Sequence, residues 1–177
     1  YLQSRAEVDG SRIGVAGNSG GGTQTTFLLG LDDRISVAAP AGYIMTEQRK
    51  FHDSGPADGC QYLPFAGGLV PEHADYITMF APKPVIILAA EQDQIFDINA
   101  VKTAFREAQR VYQALGFPDN VDMFSTPGLH GLHKPLREKM VWWMRRWLLD
   151  DHSPVEEQYL DTQAESDLLV TDTGYAA

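Results

Sequence analysis

The chain has 177 residues, 44% of them hydrophobic, which is enough for one domain with its own core. Its net charge of −10 is gathered at one end: Asp150, Asp151, Glu156, Glu157, Asp161, Glu165, Asp167 and Asp172 crowd the last 28 residues with no Lys or Arg, so residues 1–149 keep 16 of the 24 acidic and all 14 basic residues. That near balance offers no basic footprint for nucleic acid, no apolar run reaches the ~20 residues of a membrane helix, and the single cysteine, Cys60, excludes an internal disulfide.

Tyr1 to Gly10 is a polar lead-in without a signal-peptide pattern, and the chain reads as cut from a longer one. A buried strand is expected over Arg12 to Ala16. It breaks into Gly17-Asn18-Ser19-Gly20-Gly21-Gly22, and a helix is expected from Thr23 to Leu29. Gly17, Ser19 and Gly21 fill the Gly-x-Ser-x-Gly pattern of a nucleophile elbow, where a sharp turn lifts the serine hydroxyl above a sheet; a Cβ at either glycine is expected to collide with the neighbouring backbone. Ile35 to Pro40 is a second buried strand stopped by its proline, so strand, helix and strand make a βαβ unit.

Residues 41–82 are broken by Gly42, Gly55-Pro56, Gly59, Pro64 and Gly67-Gly68, with helical spacing only from Glu72 to Phe80. An insertion of this kind is expected over the carboxyl ends of the strands, with Tyr43, Phe51, Tyr62 and Phe65 as candidate pocket walls or as its own small core. Pro84 to Ala90 is the strongest strand signal. Ile98 to Leu115 then sets Val101, Ala104, Phe105, Ala108, Val111, Tyr112 and Leu115 at helical spacing before Gly116. Val121 to Phe124 is a last strand, and Pro135 to Leu149 a closing helix with Trp142, Trp143 and Trp147 assigned to the core. The acidic tail, 150–177, reads as an extended connector. The fold class is therefore α/β, three-layered, with a mostly parallel sheet.

A serine hydroxyl attacks only when a base takes its proton, and the base needs an acid to orient it. The chain supplies Ser19 after one strand, carboxylates after a later one and histidines after the last. Among Glu91, Asp93 and Asp97, the first lies almost on the strand and the last suits a helix N-cap, which favours Asp93. His130, beside Gly131 in the post-strand loop, is favoured over His133, which opens the closing helix. His52, His73 and His152 show no metal-ligand spacing and read as structural or solvated, so no metal and no cofactor is expected.

Gly17-Asn18-Ser19-Gly20-Gly21-Gly22-Thr23-Gln24-Thr25, Leu31-Asp32-Asp33-Arg34-Ile35, Ala81-Pro82-Lys83-Pro84 and His130-Gly131 with Lys134-Pro135-Leu136-Arg137-Glu138 resemble the acetyl xylan esterase-like branch of the α/β-hydrolases, close to the prolyl oligopeptidase-type enzymes. The resemblance runs from Val8 to Leu149 and implies a serine esterase acting on acylated carbohydrate, with Ser19 as nucleophile, Asp93 as acid, His130 as base and the Gly20 N–H in the oxyanion hole. It also implies that residues 1–149 are the C-terminal part of a catalytic domain whose N-terminal strands, second oxyanion donor and remaining chain lie upstream, in a secreted or periplasmic protein. A peptidase with the same triad and a non-catalytic interaction module of the same fold are the rival readings.

Overall fold

A computed structural model describes residues 1–53, 61, 71–171 and 174, without the side chains of Phe51, Asp53 and Glu165. Strands β1 (Ile13–Asn18), β2 (Ile35–Ala41), β3 (Val85–Ala90) and β4 (Val121–Thr126) form one sheet, all parallel, in chain order. Helices α1 (Gly20–Leu31), α2 (Glu47–Asp53), α3 (His73–Met79), α4 (Ile98–Ala114) and α5 (Lys134–Leu149) accompany it.

The period-two alternation of strand side chains sorts the core into two layers. Ala38, Val85, Ile87 and Ala89 face α1, α3 and α4, meeting Leu29, Ile77, Val101 and Ala104. Val37, Ala39, Ala41, Ile86 and Leu88 face α5, meeting Leu136, Met140 and Trp143. A buried aliphatic side chain of this size contributes about 1.5–3 kcal/mol, so the β2–β3 pair is the stabilising centre. The three-layer α/β architecture is as expected.

The differences have physical causes. β1 is not buried: among the described residues it pairs with β2 alone, and its positions alternate between half-buried and exposed. Pro40 does not stop β2 but lies inside it. Ala38 N and Gly42 N donate to Pro84 O and Leu88 O of the β3 side, so position 40 lies where an N–H would face β3, and proline omits one rung. Helix α1 begins at Gly20, not Thr23, so three glycines form its first turn. Its buried face is threonine: the Thr25 and Thr26 hydroxyls donate to the carbonyls four residues back, which satisfies them without a partner across the core.

Val111 in α4 and Leu115 at its C-cap are exposed rather than core. The helix has 17 residues, about 25 Å, and outruns the six-residue strands beside it, about 20 Å. Trp143 is wholly buried, whereas Trp142 and Trp147 are only partly so and flank the core. Region 41–82 holds a helix the spacing did not predict, α2, whose run Glu47-Gln48-Arg49-Lys50 has no apolar stripe. Helix α3 is N-capped by Glu72, with the reciprocal Glu72–Asp75 capping bonds. The suggested pocket walls Tyr62 and Phe65, the side chain of Phe51, and Cys60 lie outside the described residues.

The acidic tail is partly tethered. Asp150 ends α5 in the left-handed conformation, Arg145 pairs with Asp151, and Arg137 grips Glu157 through Nε at 2.5 Å and Nη2 at 2.6 Å. Residues 151–157 thus return along the outer side of α5. From 158 to 171 the described side chains are exposed. No described helix is long and apolar enough to cross a membrane.

Candidate active site

The carboxyl ends of all four strands point to one edge, where Ser19, Asp93 and His130 sit in the loops after β1, β3 and β4. Ser19 has φ 56° and ψ −119°, a strained conformation for a residue with a side chain. It is held by its own N–H, which donates to Ala41 O at 3.0 Å, and by its carbonyl, which accepts from Thr23 N at 2.9 Å. Gly17 is required by packing: a Cβ there would lie 2.4 Å from Gly21 O. Gly21 is not, because a Cβ there meets nothing within 4 Å, contrary to the steric role the motif suggested. The crowded partner is Gly22, whose Cβ would lie 2.3 Å from Ala41 O. The turn is tight because α1 starts against the end of β2.

Asp93 and His130 are joined. His130 Nδ1 lies 2.7 Å from Asp93 Oδ2, and Asp93 Oδ1 accepts from Ile95 N at 2.8 Å and Phe96 N at 3.1 Å. The Asp93 side chain is 2% exposed, so the carboxylate has exchanged water for these donors. A carboxylate against Nδ1 keeps the proton on that nitrogen and leaves Nε2 with a free lone pair, the form a general base needs. The loops carrying the two residues are laced together: Glu91 N donates to Thr126 O, Gln92 N to Gly128 O, and Gly128 N to the Gln92 side chain. The Phe96 ring, 5.5 Å from the imidazole centroid, supports it from beside.

The rival residues are engaged elsewhere. Glu91 accepts from Ser125 Oγ at 2.9 Å, Asp97 caps α4 through Asn99 N and Ala100 N, and His133 Nε2 lies 2.7 Å from Leu129 O. His73 is fully buried: its Nδ1 accepts from Met45 N, which leaves Nε2 as the protonated nitrogen facing Glu47 Oε1 at 2.8 Å. Burial works against the Glu47 charge, yet the contacts from His73 and Lys50 prevail and hold its carboxyl below the ordinary range, while burial pulls the Lys50 ammonium down. Tyr43 stacks on His73 at 4.4 Å and is buried, so it underlies the site rather than lining it.

Ser19 Oγ and His130 are not brought into a hydrogen bond, although both border residues 41–42. Ser19 N bonds Ala41 O, and a Cβ on Gly42, which has φ +54°, would lie 3.2 Å from His130 Cε1 and 2.9 Å from Asn18 Oδ1. Gly42 is therefore a site residue that the motif search passed over; a glycine directly after a buried apolar strand was its signal. The Gly20 N–H, first of α1, has no backbone partner and is available as an oxyanion donor. Among the described residues no group of three or more His, Cys, Asp or Glu side chains is placed to hold a metal.

No family model matches the sequence. The Bacillus subtilis (strain 168) protein YtaP, which is named a hydrolase, is 25% identical over 153 residues, 84% of this chain and 50% of that protein. A carbohydrate esterase family 15 glucuronoyl esterase from Caldicellulosiruptor kristjansonii superposes with a TM-score of 0.69 at 16% identity, over 90% of this chain and 50% of its own. Methylesterase BT1017 superposes with a TM-score of 0.61 at 27% identity, over 88% of this chain and 35% of its own. The chain thus spans about half the length of the curated relative it matches. Four parallel strands between two helical layers, a strained serine at the first strand-to-helix turn and these neighbours together show that the chain has the α/β-hydrolase fold.

Proposed function

We propose that this chain carries the nucleophile, base and acid of a serine esterase acting on carbohydrate esters. The observation that supports it most is the Asp93–His130 pair, ordered at the same sheet edge as a serine held at φ 56°. Ser19 Oγ attacks the ester carbonyl while His130 Nε2 takes its proton. The tetrahedral oxyanion leans on the Gly20 N–H, and its collapse expels the alcohol, which receives the proton from His130. Water then attacks the acyl-enzyme by the same path and releases the acid and free Ser19. Asp93 stays ionised and steadies the imidazolium. The second oxyanion donor is not assigned among the described residues.

Two substrate assignments follow from one mechanism. In the first, the sugar is the alcohol of the ester, as in acetylated xylan, and the product acid is acetate. In the second, the sugar provides the acid, as a uronate ester, and the released alcohol is small; the neighbours named glucuronoyl esterase and methylesterase favour it. Acetate release from acetylated xylo-oligosaccharide and methanol release from methyl glucuronate, measured on the full protein its gene encodes, separate them. Hydrolysis of aminoacyl-p-nitroanilide but of neither ester would replace both with a peptidase, and no hydrolysis of any of the three would leave an interaction module.

A further inference from the structure

Between α2 and the start of α4, at the strands' carboxyl edge, lies a cleft of about 550 Å³ whose described walls include Thr46, Gln48, Arg49, Asp97, Asn99 and Thr103. It adjoins the catalytic loops: Asp97 follows Phe96, whose ring lies 5.5 Å from that of His130. Of the described residues lining it, only Ala100 has an apolar side chain, so the wall offers more hydrogen-bonding groups than apolar surface. We infer that the cleft binds a neutral glycosyl unit of the carbohydrate that carries the ester, through its hydroxyl groups. The inference rests on the esterase reading above and extends it.

The Asp97 carboxylate carries the argument. Its Oδ1 is fixed by the N–H groups of Asn99 and Ala100, each at 3.0 Å, so the group cannot turn away. Its Oδ2 makes no hydrogen bond to a described residue and faces Arg49 Nη2 at 3.8 Å, beyond hydrogen-bond length. An acceptor and a donor set that far apart suit a hydroxyl, which donates to the carboxylate while it or its neighbour accepts from the guanidinium. A carboxylate in the wall opposes an anionic sugar, because Asp97 would repel the charge that Arg49 attracts. The Asn99 side-chain amide, bonded to no described residue, adds a donor and an acceptor on the same rim.

The test is titration calorimetry on the Ser19→Ala form of the full encoded protein with xylohexaose, mannohexaose, cellohexaose and, as the anionic comparison, an unesterified oligogalacturonate. At least one neutral glycan binds, and Arg49→Gln or Asn99→Ala, with circular dichroism unchanged, weakens it by about tenfold or more. Failure of all three neutral glycans to bind, tighter binding of the galacturonate, or unaltered affinity in both variants overturns the inference. Failure of the esterase reading is seen separately, as absence of p-nitrophenyl acetate turnover that depends on Ser19.

Discussion

The two sides of the candidate site are held by different means. On the β3–β4 side, the loops are laced by backbone bonds and Asp93 has both oxygens occupied, so His130 is oriented by a complete hydrogen-bond set. On the β1–β2 side the serine is held by shape: a strained backbone, two glycines with no room for a methyl group, and one N–H to Ala41. One side is built mainly from polar partners, whereas the other is built from close contact at Gly17 and Gly22. Among the described residues Gly42 lies between them: a Cβ on it would come within 2.9 Å of Asn18 Oδ1 and 3.2 Å of His130 Cε1.

The largest effects should come from removing chemistry on either side. Ser19→Ala is expected to lower kcat for p-nitrophenyl acetate by roughly 10⁴-fold or more. Asp93→Asn, which presents His130 with an amide, should lower it by about 10⁴-fold, and Glu91→Gln by less than about threefold. Comparable losses in the Asp93 and Glu91 variants would mean that the acid has been misassigned.

Next come the glycines. Gly22→Ala drives a methyl group against Ala41 O, and the cost of an overpacked backbone contact, about 1–3 kcal/mol, should appear as a lower Tm and lost turnover. Gly21→Ala, one residue away on the same helix with open space beside it, should gain roughly 0.5–1 kcal/mol from helix propensity. Equal melting temperatures for the two variants would remove the packing account of the elbow.

That pair shows what was legible in the sequence. Gly-x-Ser-x-Gly picked out the serine that the structure holds at φ 56°, and strand order picked out Asp93 and His130, which the structure joins, because each is a local signal at the end of an apolar run. The motif named Gly21 while contact requires Gly22, since the crowding atom, Ala41 O, is 19 positions away in sequence and appears only once β2 has paired with β1. Helix α2 was illegible for a related reason: its residues bond to distant partners, as Glu47 N does to Glu72, rather than displaying a stripe. Pro40 was read by its local habit of ending strands, whereas the sheet absorbed it as one missing rung.

The smallest effect lies at the tail, where the tether is made of partly exposed ion pairs. Arg137 holds the Glu157 carboxyl below its ordinary range, and bonds from Ser153 and Arg145 hold Asp151 down at about 2. Depressed carboxylate values mean that the tether is complete above the ordinary carboxylate range and is lost as pH falls through the lowered values. Arg137→Ala at neutral pH should therefore speed proteolysis within residues 151–157 by less than about fivefold, with turnover unaltered. A collapse of the melting transition in that variant would show that the tail is part of the core.

The contrast between the two sides matters only if they act on one bond. Mass spectrometry of the full encoded protein after brief exposure to a fluorophosphonate tests this directly. The account predicts one adduct, on the peptide containing Ser19, formed about 10³-fold or more slowly in His130→Ala and at a near-unchanged rate in His133→Ala. An adduct on another residue, or labelling of Ser19 that survives loss of His130 and fails with loss of His133, would contradict it.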